Sequence, residues 1–249
     1  RRVTLSDWCR RLPPAAHDAW LCYWLGVAHM ADDADAERWL EQAWLGYSRS
    51  GDTRGRCLTA ARAVLSKTDS WRTHAGLHAW TQRAIALADA SLPTLDGSDE
   101  LLVLSGFVRA FDYAEDYRSD GESIKHLTMR LIERIAHPHT NDSPSLRLLA
   151  SGVLIDQAGS NGDAHTFEYA VDSVAEIVGL TDMPPWPLGM WLIAFGAVSG
   201  KYFPYARRDF AYSDAESALR EAIAIGVREE LRGVEFGALY HLQLQMETA

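Results

Sequence analysis

Small residues recur at near-regular intervals inside segments of this chain that have helical periodicity. They are Gly26, Ala61, Gly106, Gly152, Gly196 and Gly237, and successive members lie 35, 45, 46, 44 and 41 positions apart. A glycine in a helix interior costs about 1 kcal/mol relative to alanine, so repeated interior glycines need a structural reason. The simplest reason is that each small residue lets another helix approach its backbone closely. The spacing therefore predicts a repeated pair of helices, with the small residue in the first helix of each pair.

Helical periodicity covers almost the whole chain, and turn residues divide it into about eleven segments. The predicted helices cover 14–30, 34–50, 54–67, 71–90, 98–119, 123–137, 144–161, 164–180, 188–199, 214–228 and the residues from 231 onward. Ser143 and Pro144 have the side chains favoured at an N-cap and at the first helical position. Asp99 and Glu100 stand where the helix dipole favours acids. Alternating runs typical of strands are missing from the sequence.

The predicted second helices also resemble one another. Segments 35–52 and 214–226 both begin with an acid, alanine and glutamate, and both have small or apolar residues three and four positions apart. A single helix pair cannot bury both of its faces, but stacked pairs can. The sequence therefore predicts an all-α fold, a right-handed superhelix (α-solenoid) of about five to six antiparallel helix pairs in one domain over 1–249. First helices would line the concave side and second helices the convex side.

Composition limits the partners and the compartment. The chain has 249 residues and a formal net charge of −10, which disfavours direct contact with nucleic acid or an anionic membrane. Its longest apolar run, 188–198, is shorter than the roughly 20 residues that span a bilayer. Three widely spaced cysteines, Cys9, Cys22 and Cys57, are typical of reduced thiols in a cytoplasmic protein. Because the chain lacks an initiator methionine and its last helical segment has no cap, we expect a piece of a longer polypeptide.

Two segments of the chain partly resemble a phosphate-binding loop and a metal site. The segment 196–202, Gly-Ala-Val-Ser-Gly-Lys-Tyr, departs from a phosphate-binding loop because three residues separate its glycines and Tyr202 follows Lys201. His137 and His139 flank a proline that ends a helix, and no cysteine pair supports a zinc site there. We therefore expect no enzyme activity, no cofactor and no metal in this chain.

One acidic cluster was also considered as a site. Asp112, Glu115 and Asp116 lie on adjoining faces of a predicted helix end. Paired carboxylates can exchange protons or bind a cation, and they can also bind a basic peptide. Near a helix end they more often form a solvated face, which is the interpretation we favour.

Aromatic residues are numerous, and their positions separate core from surface. Trp39, Trp44, Trp71 and Trp80 fall on apolar stripes and are predicted core residues. Positions three and six residues before Gly26 are predicted to face the concave side. The same offsets in the other pairs complete a candidate binding face for a peptide or small molecule. Its members are Trp20, Tyr23, Phe107, Phe111, Val153, Asp156, Gln157 and His241. The alternative is that Trp20 and Tyr23 pack against the next repeat.

The linker at 201–213 is longer than the 2–8 residues usual between paired helices. It contains several aromatic residues, among them Tyr202 and Tyr205, and the adjacent pair Arg207 and Arg208. Loop aromatics can fold back over a groove beside their own helices. Alternatively, the aromatic rings and the arginine pair can bind an anion or the carboxylate of a partner. We expect this insertion to cover a groove or to line a site.

Two segments resemble tetratricopeptide repeats, which have Gly or Ala at the eighth position of the first helix and Ala in the second. They are 22–29, Cys-Tyr-Trp-Leu-Gly-Val-Ala-His, and 214–225, Asp-Ala-Glu-Ser-Ala-Leu-Arg-Glu-Ala-Ile-Ala-Ile. The longer intervals here make the repeats degenerate. With the Leu-Ala-Ser-Gly run at 149–152, the pattern resembles the repeat region of bacterial MalT-like signal-transducing ATPase regulators. That region is not an enzyme in the family.

The resemblance implies a regulatory sensor that binds a small-molecule inducer or a protein and restrains an ATPase elsewhere in the same polypeptide. The alternative is a general protein–protein interaction scaffold without a small-molecule ligand. A closed aromatic pocket would favour the sensor, and an open polar groove would favour the scaffold.

Overall fold

A computed structural model of the chain describes residues 11–13, 17–30, 33–69, 75–89, 92, 95–113, 121–138, 142–180, 182–202 and 214–248. Within these ranges the chain is all-helical, with twelve helices and no strand, as the sequence predicts. The helices are α1 (Ala19–Ala28), α2 (Asp33–Ser50), α3 (Thr53–Asp69), α4 (Leu77–Asp89), α5 (Gly97–Asp112), α6 (Gly121–Ala136), α7 (Pro144–Asn161), α8 (Ala164–Asp172), α9 (Ala175–Val178), α10 (Pro185–Lys201), α11 (Ala215–Arg228) and α12 (Arg232–Thr248).

Helix starts follow the local signals in the sequence. Asp18, Asp163 and Asp214 are N-caps whose carboxylates accept hydrogen bonds from backbone N–H groups three residues later, at 2.7, 3.1 and 2.7 Å. Each bond satisfies a donor that has no partner within the helix. Ser143 is the N-cap of α7 and Pro144 its first residue, as predicted, but the serine side chain makes no capping hydrogen bond.

One predicted helix, 164–180, is wrong because the structure divides it into α8 and α9. Arg147 in α7 donates a hydrogen bond from Nη2 to the carbonyl oxygen of Ser173 at 2.8 Å and another from Nη1 to Glu176 at 3.2 Å. The guanidinium thus binds the carbonyl oxygen of Ser173, which in a continuous helix would accept a hydrogen bond from the backbone N–H four residues later. A side chain from another helix therefore overrides the local helical preference.

The contacts divide the chain into two compact units, Arg1–Ile124 and Lys125–Ala249. In the first unit, consecutive helices from α1 to α5 pack together, and α3 also packs against α1 and α5. The largest side chains in its core include Leu25, Leu40, Leu65, Trp80 and Phe107, each with at most 2% of its surface exposed. Burial of such side chains supplies most of the free energy that holds the helices together.

The second unit repeats this arrangement around α10, which packs against α7, α11 and α12. Its core contains an aromatic stack in which the Trp191 and Phe195 ring centroids are 5.3 Å apart and those of Phe195 and Phe167 are 6.2 Å apart. The Trp191 indole N–H donates to Ser151 Oγ at 2.9 Å, so its one polar group is satisfied inside the core.

Most of the predicted small residues stand where another helix comes close. A Cβ on Gly26 would lie 2.6 Å from Leu40 Cγ, one on Gly106 would lie 2.5 Å from Ala61 Cα, and one on Gly196 would lie 2.6 Å from Leu219 Cγ. Distances this short do not occur for real Cβ atoms. A side chain at Gly106 would force the Ala61 backbone to move, whereas one at Gly26 or Gly196 would force the Leu40 or Leu219 side chain to repack. Gly152 differs, because the nearest atom to its Cβ position is 3.8 Å away. Gly26 and Gly196 contact the following helix, whereas Gly106 contacts an earlier first helix.

Across the described ranges, no helix combines the length and the apolar character that a membrane crossing requires.

Candidate functional site

Three helices of the second unit bring a mixed polar and aromatic group together. Asp156 comes from α7, Lys201 and Tyr202 from the C-terminal end of α10, and Tyr240 and His241 from α12. We call these five residues the α7–α10–α12 cluster. Their mutual placement depends on α10, because this helix packs against both of the others.

Two glycines of α10, one turn apart, allow close packing, Gly196 against α11 and Gly200 against α12. A Cβ on Gly196 would lie 3.1 Å from the carbonyl oxygen of Ala215, and one on Gly200 would lie 2.7 Å from Cδ of Gln245. Gln245 of α12 donates from Nε2 to the carbonyl oxygen of Gly196 at 2.8 Å. Residues 196–200 therefore belong to a helical packing face, whereas Lys201 and Tyr202 at the end of the helix are exposed.

His241 is the half-buried member of the cluster. Burial lowers the pKa of its imidazole below the usual value of 6.5; nearby Asp156 acts in the opposite direction, and Lys201 lowers the pKa further. The imidazole is therefore mostly neutral at neutral pH. The Tyr240 ring meets the imidazole edge-on, with centroids 5.2 Å apart and planes at 74°. A neutral imidazole offers one hydrogen-bond donor and one acceptor.

Lys201 supplies a solvent-exposed positive charge. A hydrogen bond from its ammonium to Tyr202 and the electrostatic effect of Tyr202 raise the lysine pKa; Tyr240 adds to this rise. The ammonium nitrogen lies 4.8 Å from the Tyr202 ring centroid, within cation–π range. Tyr202 and Tyr240 have 48% and 52% of their surfaces exposed, so both rings are accessible from solvent.

The predicted concave-face residues of this unit take two different positions. Asp156 and His241, 85 positions apart in the sequence, lie within electrostatic range of each other. Gln157 is instead buried, and its Oε1 accepts a hydrogen bond from Thr128 of α6 at 2.9 Å. Val153 is also fully buried. The cluster therefore includes Asp156 and His241 but neither of these neighbours.

The predicted residues of the first unit are mostly internal. Phe107 and Phe111 are buried in α5, and Tyr23 is buried in α1. Trp20 is 48% exposed and stacks on the Tyr23 ring at 5.7 Å, while Trp24, 41% exposed, meets Trp20 edge-on at 5.5 Å. Solvent thus reaches two tryptophans of α1, whereas the other predicted aromatics fill the core.

Two of the predicted core tryptophans, Trp44 and Trp80, lie beside an arginine. Arg83 of α4 lies over the rings of Trp80 and Trp44, 4.3 and 5.0 Å from their centroids, and makes two hydrogen bonds to Glu41 at 2.5 and 2.9 Å. Trp80 is buried, as predicted, whereas Trp39 and Trp44 are only half-buried. The arginine satisfies the polar and aromatic groups at this point, so they act in packing α2 against α4. Trp71 lies outside the described residues.

Several predicted features fall outside the described part of the chain. They are Tyr205, Arg207 and Arg208 of the insertion, His139, and the carboxylates Glu115 and Asp116. Among the residues that are described, no group of three or more His, Cys, Asp or Glu side chains is placed to hold a metal ion. Cys22 and Cys57 are buried thiols without a disulfide, and burial raises the pKa of each.

Two members of the cluster were not predicted as binding residues from the sequence. Lys201 belongs to the insertion at 201–213 and to the segment that resembles a phosphate-binding loop, but it is not among the predicted binding residues, and neither is Tyr240. Their positions in the sequence could have indicated a binding role. Lys201 ends a helix that has two glycines one turn apart, and Tyr240 precedes the one histidine of α12.

The chain was compared with known proteins by sequence and by structure. No protein-family model, no curated protein and no solved structure matches it. The functional conclusion therefore depends on the helix packing and on the cluster.

Proposed function

We propose that this chain is a non-catalytic sensor and interaction region of a bacterial transcriptional regulator, which binds a small-molecule inducer or a regulatory protein. The observation that carries the proposal is the α7–α10–α12 cluster. It places a carboxylate, an ammonium, an imidazole and two accessible tyrosine rings on three helices that are each predicted to be the first of a pair. A few polar groups among aromatic rings are typical of small-molecule sites.

The proposal includes the right-handed superhelix of degenerate tetratricopeptide-like repeats and a cytoplasmic location. Support for the repeat comes from each unit taken alone: α1, α3, α7 and α10 each pack on the helix that follows, and α3 also packs on α5 as α10 does on α12. Stacked pairs of this kind form extended binding surfaces. Other domains of the same polypeptide would convert ligand binding into regulation.

A second candidate function is a protein–protein interaction scaffold. A stripe of exposed apolar side chains along α12 favours it, with Phe236, Leu239, Leu244 and Met246 exposed by 52, 43, 39 and 74%. Exposed apolar stripes on helices often mark sites of protein association. The scaffold would bind partner proteins without a small ligand.

Two measurements test the proposal. The complete coding sequence is expected to encode a phosphate-binding loop and a DNA-binding segment upstream; a complete gene without them would contradict the regulator. Thermal-shift screening of metabolites is expected to find at least one compound that stabilises the chain, because a ligand that binds only the folded state raises its stability. No stabilisation by any metabolite, with retained binding to a protein partner, would favour the scaffold.

A further inference from the structure

The corner between α7 and α8 contains an asparagine that is followed directly by a glycine. Asn161 is the last residue of α7, and Gly162 is its C-cap with a left-handed backbone, φ 69° and ψ 29°. Both residues are exposed. Apart from its chain neighbours, no atom lies within 4 Å of the place that a Cβ on Gly162 would take. Water and base therefore reach the asparagine amide and the peptide nitrogen that follows it.

Few hydrogen bonds hold this corner in its helical conformation. The Gly162 N–H donates to the carbonyl oxygen of Ala158, and the Asp163 N–H donates to the same oxygen at 3.0 Å. The Asn161 carbonyl is one of the last four of the helix, for which the helix itself provides no donor. Rotation about the Cα–C bond of Asn161 therefore breaks only these two hydrogen bonds, and Gly162 can absorb the change because glycine adopts both signs of φ. Terminal turns of this kind open at a low free-energy cost.

We propose that Asn161 is a site of spontaneous deamidation, which converts it to aspartate and isoaspartate through a cyclic succinimide. In the open turn, the Gly162 peptide nitrogen loses its proton to hydroxide and attacks Cγ of Asn161. The bond from Cγ to the side-chain amide nitrogen breaks, and that nitrogen takes up a proton and leaves as ammonia. Glycine favours the attack because it has no side chain to obstruct the ring.

Water completes the conversion by adding to one of the two ring carbonyls. Opening of the ring at Cγ of residue 161 gives aspartate with the ordinary backbone. Opening at the backbone carbonyl gives isoaspartate, in which the chain continues through the former side chain. Neither step oxidises or reduces any group, and the only co-reactant consumed is water.

The product has a new negative charge at the C-terminal end of α7. The helix dipole disfavours an anion there. Asp163, whose carboxylate caps α8, lies two residues away and adds like-charge repulsion. Isoaspartate also lengthens the backbone between the two helices by one methylene. The modification therefore weakens the α7–α8 corner as the chain ages, whichever function the second unit has.

Peptide mass spectrometry tests the site on the unaltered chain. The sequence has two asparagines, and Asn141 precedes an aspartate rather than a glycine, so it is an internal control. The folded chain is incubated at mildly alkaline pH, and chymotryptic peptides covering 155–167 are then measured. We expect Asn161 to convert several-fold faster than Asn141 and to give both products. Endoproteinase Asp-N distinguishes the products because it cleaves before aspartate but not before isoaspartate.

Unfolding and variants test the role of the terminal turn. In urea we expect conversion at Asn161 to be about five- to thirtyfold faster, since each of the two hydrogen bonds contributes about 1 kcal/mol. Asn161→Gln is the matched control, because attack on the longer side chain needs a six-membered ring, and we expect it to abolish conversion at this position. Asn161→Asp has the charge without the longer backbone and is expected to lower Tm by about 1–3 °C.

Three results would overturn the inference: Asn161 that stays intact through the incubation, equal rates at the two asparagines, or aspartate without isoaspartate. The last would mean direct hydrolysis of the amide, because only the ring yields isoaspartate. A rate in urea equal to that of the folded chain would contradict the opening of the terminal turn. An unchanged Tm for Asn161→Asp would contradict the weakening of the corner by the new charge.

Discussion

The two units each contain a buried Ser-Gly pair in a first helix, and these identical pairs act differently. In the first unit, Ser105 donates to the carbonyl oxygen of Leu101 in its own helix at 2.6 Å, and Gly106 lies against the backbone of Ala61. In the second unit, Ser151 donates to the carbonyl oxygen of Ala170 in α8 at 2.6 Å and accepts from Trp191. In the first unit, the Ser-Gly pair thus allows close contact between two backbones. In the second unit, the serine of the pair instead hydrogen-bonds to two neighbouring helices.

The units also differ in how charge joins their helices. The first unit has a partly buried ion pair between Lys67 of α3 and Glu37 of α2 at 2.7 Å, where the lysine is 3% exposed. The second unit has a more fully buried pair, Arg134 of α6 with Asp142 at 2.6 Å, whose side chains are 6% and 1% exposed, and it leaves the Lys201 ammonium in solvent. The comparison indicates that the buried pair of the first unit joins two helices, whereas that of the second unit joins α6 to the segment that follows it.

The largest predicted effect concerns the ion pair of the first unit. Glu37→Gln removes the carboxylate to which the buried Lys67 ammonium donates, and we expect the free energy of unfolding to fall by about 3 kcal/mol. The control is Glu216→Gln, which breaks the exposed pair with Arg220 in the second unit and should cost about 0.5 kcal/mol or less. Urea denaturation followed by circular dichroism measures both. Equal losses for the two variants would contradict the contrast between a buried and an exposed ion pair.

The next largest effect is a difference in unfolding free energy between alanine substitutions at the glycines of the two Ser-Gly pairs. Gly106→Ala places a Cβ 2.5 Å from Ala61 Cα and 2.8 Å from its carbonyl oxygen, so the backbone must move. We expect a loss of about 2 kcal/mol in the free energy of unfolding. Gly152→Ala meets nothing closer than 3.8 Å and is expected to stabilise the chain by up to about 1 kcal/mol through helix propensity. A loss at Gly152 as large as that at Gly106 would show that the two positions are equally crowded.

The pH dependence of stability gives a smaller effect, confined to the second unit. Because the folded-state pKa of His241 is lowered, the unfolded chain binds more protons as the pH falls through about 6.5, and folding stability decreases. His241→Gln removes this contribution. Between about pH 7.5 and pH 5.5, we expect the variant to lose less unfolding free energy than the unaltered chain in urea titrations. An identical loss would mean that His241 keeps its ordinary pKa.

The smallest predicted effect concerns the two buried thiols of the first unit, which should react very slowly with a thiol reagent. Cys57 has no exposed surface, and burial raises its pKa to about 11; the pKa of buried Cys22 is also raised. In a Cys9→Ser background, neither thiol should react with Ellman's reagent at about pH 8 until the unit opens, because the thiolate is the reacting form. Glu37→Gln should accelerate the reaction and Gly152→Ala should not. Rapid labelling of the unaltered folded chain would contradict the burial of these thiols.

Local features of the fold could be predicted from the sequence. The start of α7 at Pro144, the acids in the first turn of α5 and the close approach at Gly26, Gly106 and Gly196 all depend on residues near one another in sequence or on a repeated pattern. The break between α8 and α9 could not be predicted, because it depends on Arg147 in another helix. The division into two units also has no marker in composition.

The candidate site was predictable only in part. Offsets from the small residues select positions on the predicted first helices, Asp156 and His241 among them. The same offsets also selected Phe107, Phe111 and Gln157, which are buried, because periodicity gives a helix face but does not say which neighbouring helix covers it. Lys201 and Tyr240 join the cluster only through the packing of α10 against α12.

Hydrogen–deuterium exchange with a metabolite that raises the thermal stability of the chain tests the central claim, that the second unit has the binding site. With the compound present, we expect slower exchange in peptides covering 196–202 and 240–247, and unchanged exchange in those covering 19–112. Binding orders the groups that contact a ligand, so the opening of nearby amides becomes rarer. No change anywhere, or protection confined to the first unit, would contradict this claim.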